Sequence, residues 1–125
     1  MLKLNEVQKI LNANVLCCDN LLDTLEIKSV CGADLLSDVL AFTNERSLLL
    51  TGMTNLQVIR TVEISDLSGV VFVRGKIPRE EVIRAAHEQR IPLLSTEYTM
   101  YEACGRLYCN GLPGCLRVER AASNG

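Results

Sequence analysis

Three short apolar runs, evenly spaced and each closed by a polar turn, constrain this chain more than any other feature. Ser47-Leu48-Leu49-Leu50-Thr51, Val70-Val71-Phe72-Val73 and Pro92-Leu93-Leu94-Ser95 recur at intervals of about 22 residues. That is the length of a compact strand–turn–helix unit, for which right-handed crossovers are expected. None of the runs alternates apolar with polar residues, as strands buried on both faces of a helix-covered parallel sheet do not. The turns that follow are Gly52-Met53-Thr54-Asn55, Gly75-Lys76-Ile77-Pro78 and Thr96-Glu97-Tyr98. Beyond the first two, apolar residues return at helical spacing, with Leu56, Ile59 and Val62, then Val82, Ile83 and Ala86. Beyond the third, a helix opens at Thr99.

Helix ends are marked in the same stretch. Thr54 with Gln57, and Thr99 with Glu102, have the spacing of capping boxes. Pro78 suits a first helical turn, where a missing N–H is tolerated. Gly111 and Pro113 predict the end of the last helix.

The N-terminal part is less regular. Asn5-Glu6-Val7-Gln8 reads as a capping box opening a helix with Val7, Ile10 and Leu11, ended by Asn12-Ala13-Asn14. Val15 to Cys18 predicts a short strand closed by Asp19-Asn20. Leu25 and Ile27 alternate with Glu26 and Lys28, predicting a partly exposed strand through Val30. From Cys31 to Phe42 the pattern predicts a loop, a short helical turn and a strand-like piece. The fold class is therefore α/β, a compact three-layer-like domain with a small parallel or mixed sheet and helices on its faces. With 125 residues and no low-complexity linker, one domain is expected over 1–112, followed by a loosely held tail over 113–125.

Composition removes several function classes. The formal charge of −2 lacks the basic surplus that nucleic-acid binding needs. The apolar runs fall far short of the ~20 residues of a membrane span. Met1 to Glu6 has no positive stretch followed by a long apolar run, so no signal peptide is read there and a cytoplasmic location is expected. A single histidine, His87, leaves little room for histidine chemistry, and its charged neighbours predict that it faces solvent. Asp34 and Asp38 fit a turn and a cap as readily as a carboxylate pair.

Ligands of open parallel sheets settle beyond the carboxyl ends of the strands, where helix N-termini present free N–H groups. The candidate ligand-binding residues are therefore Thr51, Gly52, Thr54 and Asn55 in the first turn, Arg74, Gly75 and Lys76 in the second, and Ser95, Thr96 and Tyr98 in the third. Gly52 allows close backbone approach, Arg74 or Lys76 adds charge, and Tyr98 offers a ring for a base. Thr54, Asn55 and Thr99 serve equally well as helix caps. No P-loop, dinucleotide fingerprint or nucleophile elbow is present, so no catalytic residue, no enzyme activity and no cofactor are assigned.

The chain has six cysteines. Cys104-x4-Cys109-x5-Cys115 lacks the paired spacing of zinc ribbons and ferredoxins, and a reducing cytosol favours packed thiols. A metal site on Cys104, Cys109 and Cys115 is the weaker alternative.

The runs Ala33 to Phe42, Leu50 to Asn55 and Ile91 to Ala103 resemble the DRTGG domain family, and the likeness covers about residues 1–112. The chain is most similar to small stand-alone members from anaerobes, some encoded beside hydrogenase subunits. It is also similar to the regulatory domains of phosphotransacetylases and CBS-containing pyrophosphatases, and to the HPr kinase/phosphorylase N-terminal domain. The resemblance implies a regulatory, non-catalytic α/β module, commonly a homodimer, with an adenine nucleotide as possible ligand. It also implies an alternative, an interaction partner of a hydrogenase-type redox enzyme with no small ligand. Where the family's Asp-Arg-Thr motif would follow the first glycine, this chain has Gly52-Met53-Thr54-Asn55.

Overall fold

The three apolar runs are adjacent parallel strands in a computed structural model of the protein, which describes residues 1–42 and 46–115. The chain runs β1 (Leu2–Lys3), α1 (Leu4–Ile10), β2 (Asn14–Cys17), a 3-10 turn (Asp19–Leu21), β3 (Glu26–Ile27), β4 (Ser29–Gly32) and α2 (Leu36–Phe42). It continues through β5 (Ser47–Thr51), α3 (Leu56–Ser65), β6 (Gly69–Phe72), α4 (Glu80–Glu88), β7 (Leu93–Ser95) and α5 (Met100–Cys109). The main sheet has the order β2-β7-β6-β5-β4. Strands β4 to β7 are parallel and β2 is antiparallel to β7. β1 and β3 form a separate antiparallel ribbon.

Every residue of β5, β6 and β7 is buried, and successive side chains feed two cores. Leu48, Leu50, Val71 and Leu94 meet Leu4, Val7 and Leu11 of the α1 region and Ala103 and Leu107 of α5. Leu49, Val70, Phe72 and Leu93 meet Val39 of α2, Val58, Ile59 and Val62 of α3, and Val82 and Ala86 of α4. The expected α/β architecture, a mixed sheet between helical layers, is the one adopted. Because β4 to β7 follow one another in order, α2, α3 and α4 share one face. After β7 the chain crosses to the other face for α5. The connections after β6 and β7 thus depart to opposite faces, the arrangement that opens a crevice at the strand ends.

Several local expectations are corrected. The strand-like piece before Phe42 is helix α2, whose Val39 is buried while its Leu40 and the preceding Leu35, at 53% and 62% exposure, face out. The strand expected from Leu25 through Val30 divides at Lys28 into β3 and β4, which pair in different sheets. Helix α1 starts ahead of Asn5: Lys3 is its N-cap and donates its N–H to the Glu6 carboxylate at 2.9 Å. Asn55, not Thr54, is the N-cap of α3, and its side chain makes no capping bond. Thr99 does cap α5, accepting the Glu102 N–H at 3.3 Å, and Gly111 follows that helix at φ 102°.

Where the loose tail is expected to begin, Pro113 and Cys115 join the edge of β4. The Pro113 carbonyl accepts the Val30 N–H at 2.9 Å, and the Cys115 N–H donates to the Val30 carbonyl at 3.1 Å. The rest of that expected tail, 116–125, lies outside the described residues.

Candidate functional site

The three turns stand together at the carboxyl edge of the sheet, but their polar groups are used unequally. In the first, buried Thr51 ends β5 and donates its hydroxyl to Asp34 Oδ1 at 3.1 Å. The Gly52 N–H donates to the same oxygen at 2.8 Å, and Met53 N–H donates to the Thr51 hydroxyl at 3.1 Å. A Cβ placed on Gly52 would lie 3.6 Å from both Arg74 Nη2 and Asp34 Oδ1. One carboxylate oxygen, two donors and a guanidinium therefore converge on this glycine. Thr54 is half-buried and Asn55 exposed beside it.

The second and third turns are stitched to each other. Arg74 and Gly75 both adopt left-handed backbone, at φ 59° and 67°. That geometry turns the Arg74 N–H to the Tyr98 carbonyl and the Gly75 N–H to the Thr96 carbonyl, each at 2.8 Å. The Ser95 hydroxyl donates to the Lys76 carbonyl at 2.9 Å. Thr96 is buried, and its hydroxyl donates to the Leu11 carbonyl at 2.7 Å. Gly75, Ser95 and Thr96 thus hold the turns in place with the groups that the sequence reading offered to a ligand. The side chains of Arg74 and Lys76 are exposed. Ion pairs among the described residues are Arg84–Glu80 and Arg106–Glu102, so Arg74 is not drawn into one there.

Two neighbours escaped sequence reasoning. The Glu97 carboxylate lies over Gly75, 2.8 Å from where its Cβ would stand. The Arg106 guanidinium stacks on the Tyr98 ring at 4.2 Å, held by Glu102 at 2.8 Å. Asp34 was legible as a turn residue but not as the partner of Gly52. The parallel register, which sets Gly32 opposite Leu50, brings Asp34 to Gly52 and was the missing signal.

Cys31 neighbours Cys115 and Cys17 adjoins Cys18, so the cysteines do not share one place. Cys104 is half-buried behind Gly32, Cys109 is exposed, and the Cys115 thiol donates to the Ser47 hydroxyl at 3.3 Å. Cys31 is pushed up from its ordinary pKa by its hydrogen bond with Cys115 and then by burial. Burial also pushes the Cys104 thiol up. Among the described residues no three His, Cys, Asp or Glu side chains are grouped to hold a metal ion. His87 is exposed.

Fold and site together define a three-layer α/β module whose first strand-end turn aims a backbone N–H and a hydroxyl at one carboxylate oxygen of the chain itself. The chain belongs to the DRTGG domain family, whose model, described as the DRTGG domain, matches residues 6–108. Among solved structures it is similar to the CBS and DRTGG domains of the regulatory region of a Clostridium perfringens pyrophosphatase, complexed with the activator diadenosine tetraphosphate. The identity is 18% and the TM-score 0.65, over 89% of this chain and 47% of that one, which is a likeness of fold. No curated protein matches the chain. No helix among the described residues is long and apolar enough to cross a membrane.

Proposed function

We propose that this protein is a non-catalytic regulatory module that binds an adenine nucleotide, or an anion of similar chemistry, at the carboxyl ends of β5, β6 and β7. The observation that carries the reading is the convergence of the Gly52 N–H and Thr51 hydroxyl on one anionic oxygen beside Arg74. Such a donor set suits a phosphate oxygen as well as a carboxylate. Thr54 and Asn55 follow it in the same turn, Lys76 adds an exposed cation in the second turn, and Tyr98 offers its ring where Arg106 now stacks. Gly75, Ser95 and Thr96 contribute by fixing the turns. The fold likeness to a regulatory region complexed with a dinucleotide supports the same ligand class. A homodimer in the cytoplasm is the state in which we expect it to act. Isothermal titration with AMP, ATP and diadenosine tetraphosphate tests the reading. Binding that Gly52→Val weakens is expected; no heat and no thermal shift at millimolar ligand would overturn it.

A second reading has its own observation. Tyr101 and Tyr108, 89% and 72% exposed on α5, flank an apolar groove of about 340 Å³ between that helix and Val30 and Gly32 of β4. Exposed aromatic residues beside an apolar groove suit protein contact. In this reading the chain is an accessory of a hydrogenase-type redox enzyme with no small ligand. Co-purification with such a subunit, silent titrations, and loss of the complex in Tyr101→Ala would favour it.

A further inference from the structure

A carboxylate of the protein itself already occupies the anion position of the first turn. Asp34 Oδ1 takes the Gly52 N–H at 2.8 Å and the Thr51 hydroxyl at 3.1 Å. Thr51 ends the buried strand β5 and Gly52 follows it directly, so both donors are anchored at the end of that strand. Asp34 can move: it is exposed, as is Leu35 after it. The preceding residue is fixed, because the Ala33 N–H donates to the Leu50 carbonyl at 3.0 Å. Rotation about the Asp34–Leu35 link is therefore free on one side only, toward α2. That helix has seven residues, Val39 among them is fully buried, and the helix packs against α3.

We propose that Asp34 is a resident stand-in for the ligand's anion, and that ligand binding displaces it and shifts the connection between β4 and α2. This rests on the nucleotide-binding reading above and adds how that binding would be sensed. An incoming phosphate oxygen takes over the Gly52 and Thr51 donors and gains the Arg74 guanidinium. The expelled carboxylate carries Leu35 and the start of α2 with it. Affinity in the wild-type protein is lowered by the fraction of time Asp34 holds the site. Removing the stand-in removes that penalty.

The test is titration of wild type, Asp34→Asn and Asp34→Ala with AMP and with inorganic pyrophosphate, after circular dichroism shows that each variant is folded. Asp34→Asn keeps the size and one acceptor oxygen, so it reports on charge even if the alanine variant is unstable. At least tenfold tighter binding by the variants is expected, abolished when Gly52→Val is added to Asp34→Ala. Hydrogen exchange over 34–42 should rise when wild type is saturated. Wild-type binding that the variants leave equal or weaken overturns the stand-in role while the nucleotide reading survives. Absence of binding by wild type and variants alike overturns both.

Discussion

The Arg74 N–H donates to the Tyr98 carbonyl at 2.8 Å, across the place where the chain leaves β6 for one face of the sheet and β7 for the other. With the parallel bond from Gly75 to Thr96, it closes by backbone contact the crevice that such a divergence normally opens. A ligand proposed for this edge would therefore be met by side chains and by the neighbouring turn at Gly52. The left-handed backbone of Arg74 is unfavourable for a residue with a side chain, and both hydrogen bonds depend on that conformation and its continuation at Gly75.

Gly75→Ala should destabilise the protein by about 1–2 kcal/mol, because φ is 67° and the new Cβ would stand 2.8 Å from Glu97 Oε1. Urea unfolding measures the loss. Adding Glu97→Ala should return the steric part and leave the conformational part. Full recovery would mean that the backbone is unstrained.

Thr96→Val should cost about 1–3 kcal/mol, since it deletes the donor to the Leu11 carbonyl and leaves that oxygen without the bond it has at 2.7 Å. Thr96→Ser keeps the hydroxyl and should stay closer to wild type in the same thermal melts. Equal losses for both variants would assign the effect to the methyl group instead.

Gly32→Ala places a Cβ 2.8 Å from Cys104 Sγ and 3.1 Å from Met100 Sδ. Overpacking of this kind costs about 1–3 kcal/mol. In a Cys104→Ala background the penalty should shrink, so the two changes are non-additive in a double-mutant cycle. Additive losses would show that β4 and α5 adjust independently.

Burial, and then the adjacent Cys18 thiol, push Cys17 up from an ordinary pKa of 9.0 to about 12. The folded state holds this proton to higher pH than the unfolded chain does. Its contribution to stability is therefore complete below pH 9 and is lost as pH rises toward 12. Urea midpoints at pH 8, 9.5 and 10.5 should fall more steeply for wild type than for Cys17→Ser. Parallel slopes would exclude the effect. In the native state at pH 8, iodoacetamide should reach exposed Cys109 before Cys17.

Strong local signals made much of this fold legible. Leu48, Leu49 and Leu50 are buried on both faces of the sheet, so their unbroken run reads correctly, and Val58, Ile59 and Val62 follow the helical period. The failures are long-range. Leu25 to Val30 alternates as one strand, yet Ile27 pairs with Leu2 while Val30 pairs with Leu48, so tertiary pairing sets the break at Lys28. At the site, residue types placed the turns at one edge but could not say which donors were spent. The Thr96 hydroxyl finds its acceptor 85 positions away in sequence, a partner that no local pattern announces. Asp34 needed the register of β4 against β5.

The antiparallel edge also fixes an order of assembly. Strands β5, β6 and β7 each pair with the one just made, whereas β2 pairs with β7, Asn14 opposite Ser95. During synthesis β2 and the Leu4, Val7 and Leu11 stripe beside it wait for nearly the whole domain before they are covered. Distant pairings of this kind form late and leave apolar surface exposed meanwhile. The N-terminal segment is thus where a nascent chain of this protein would most need a chaperone.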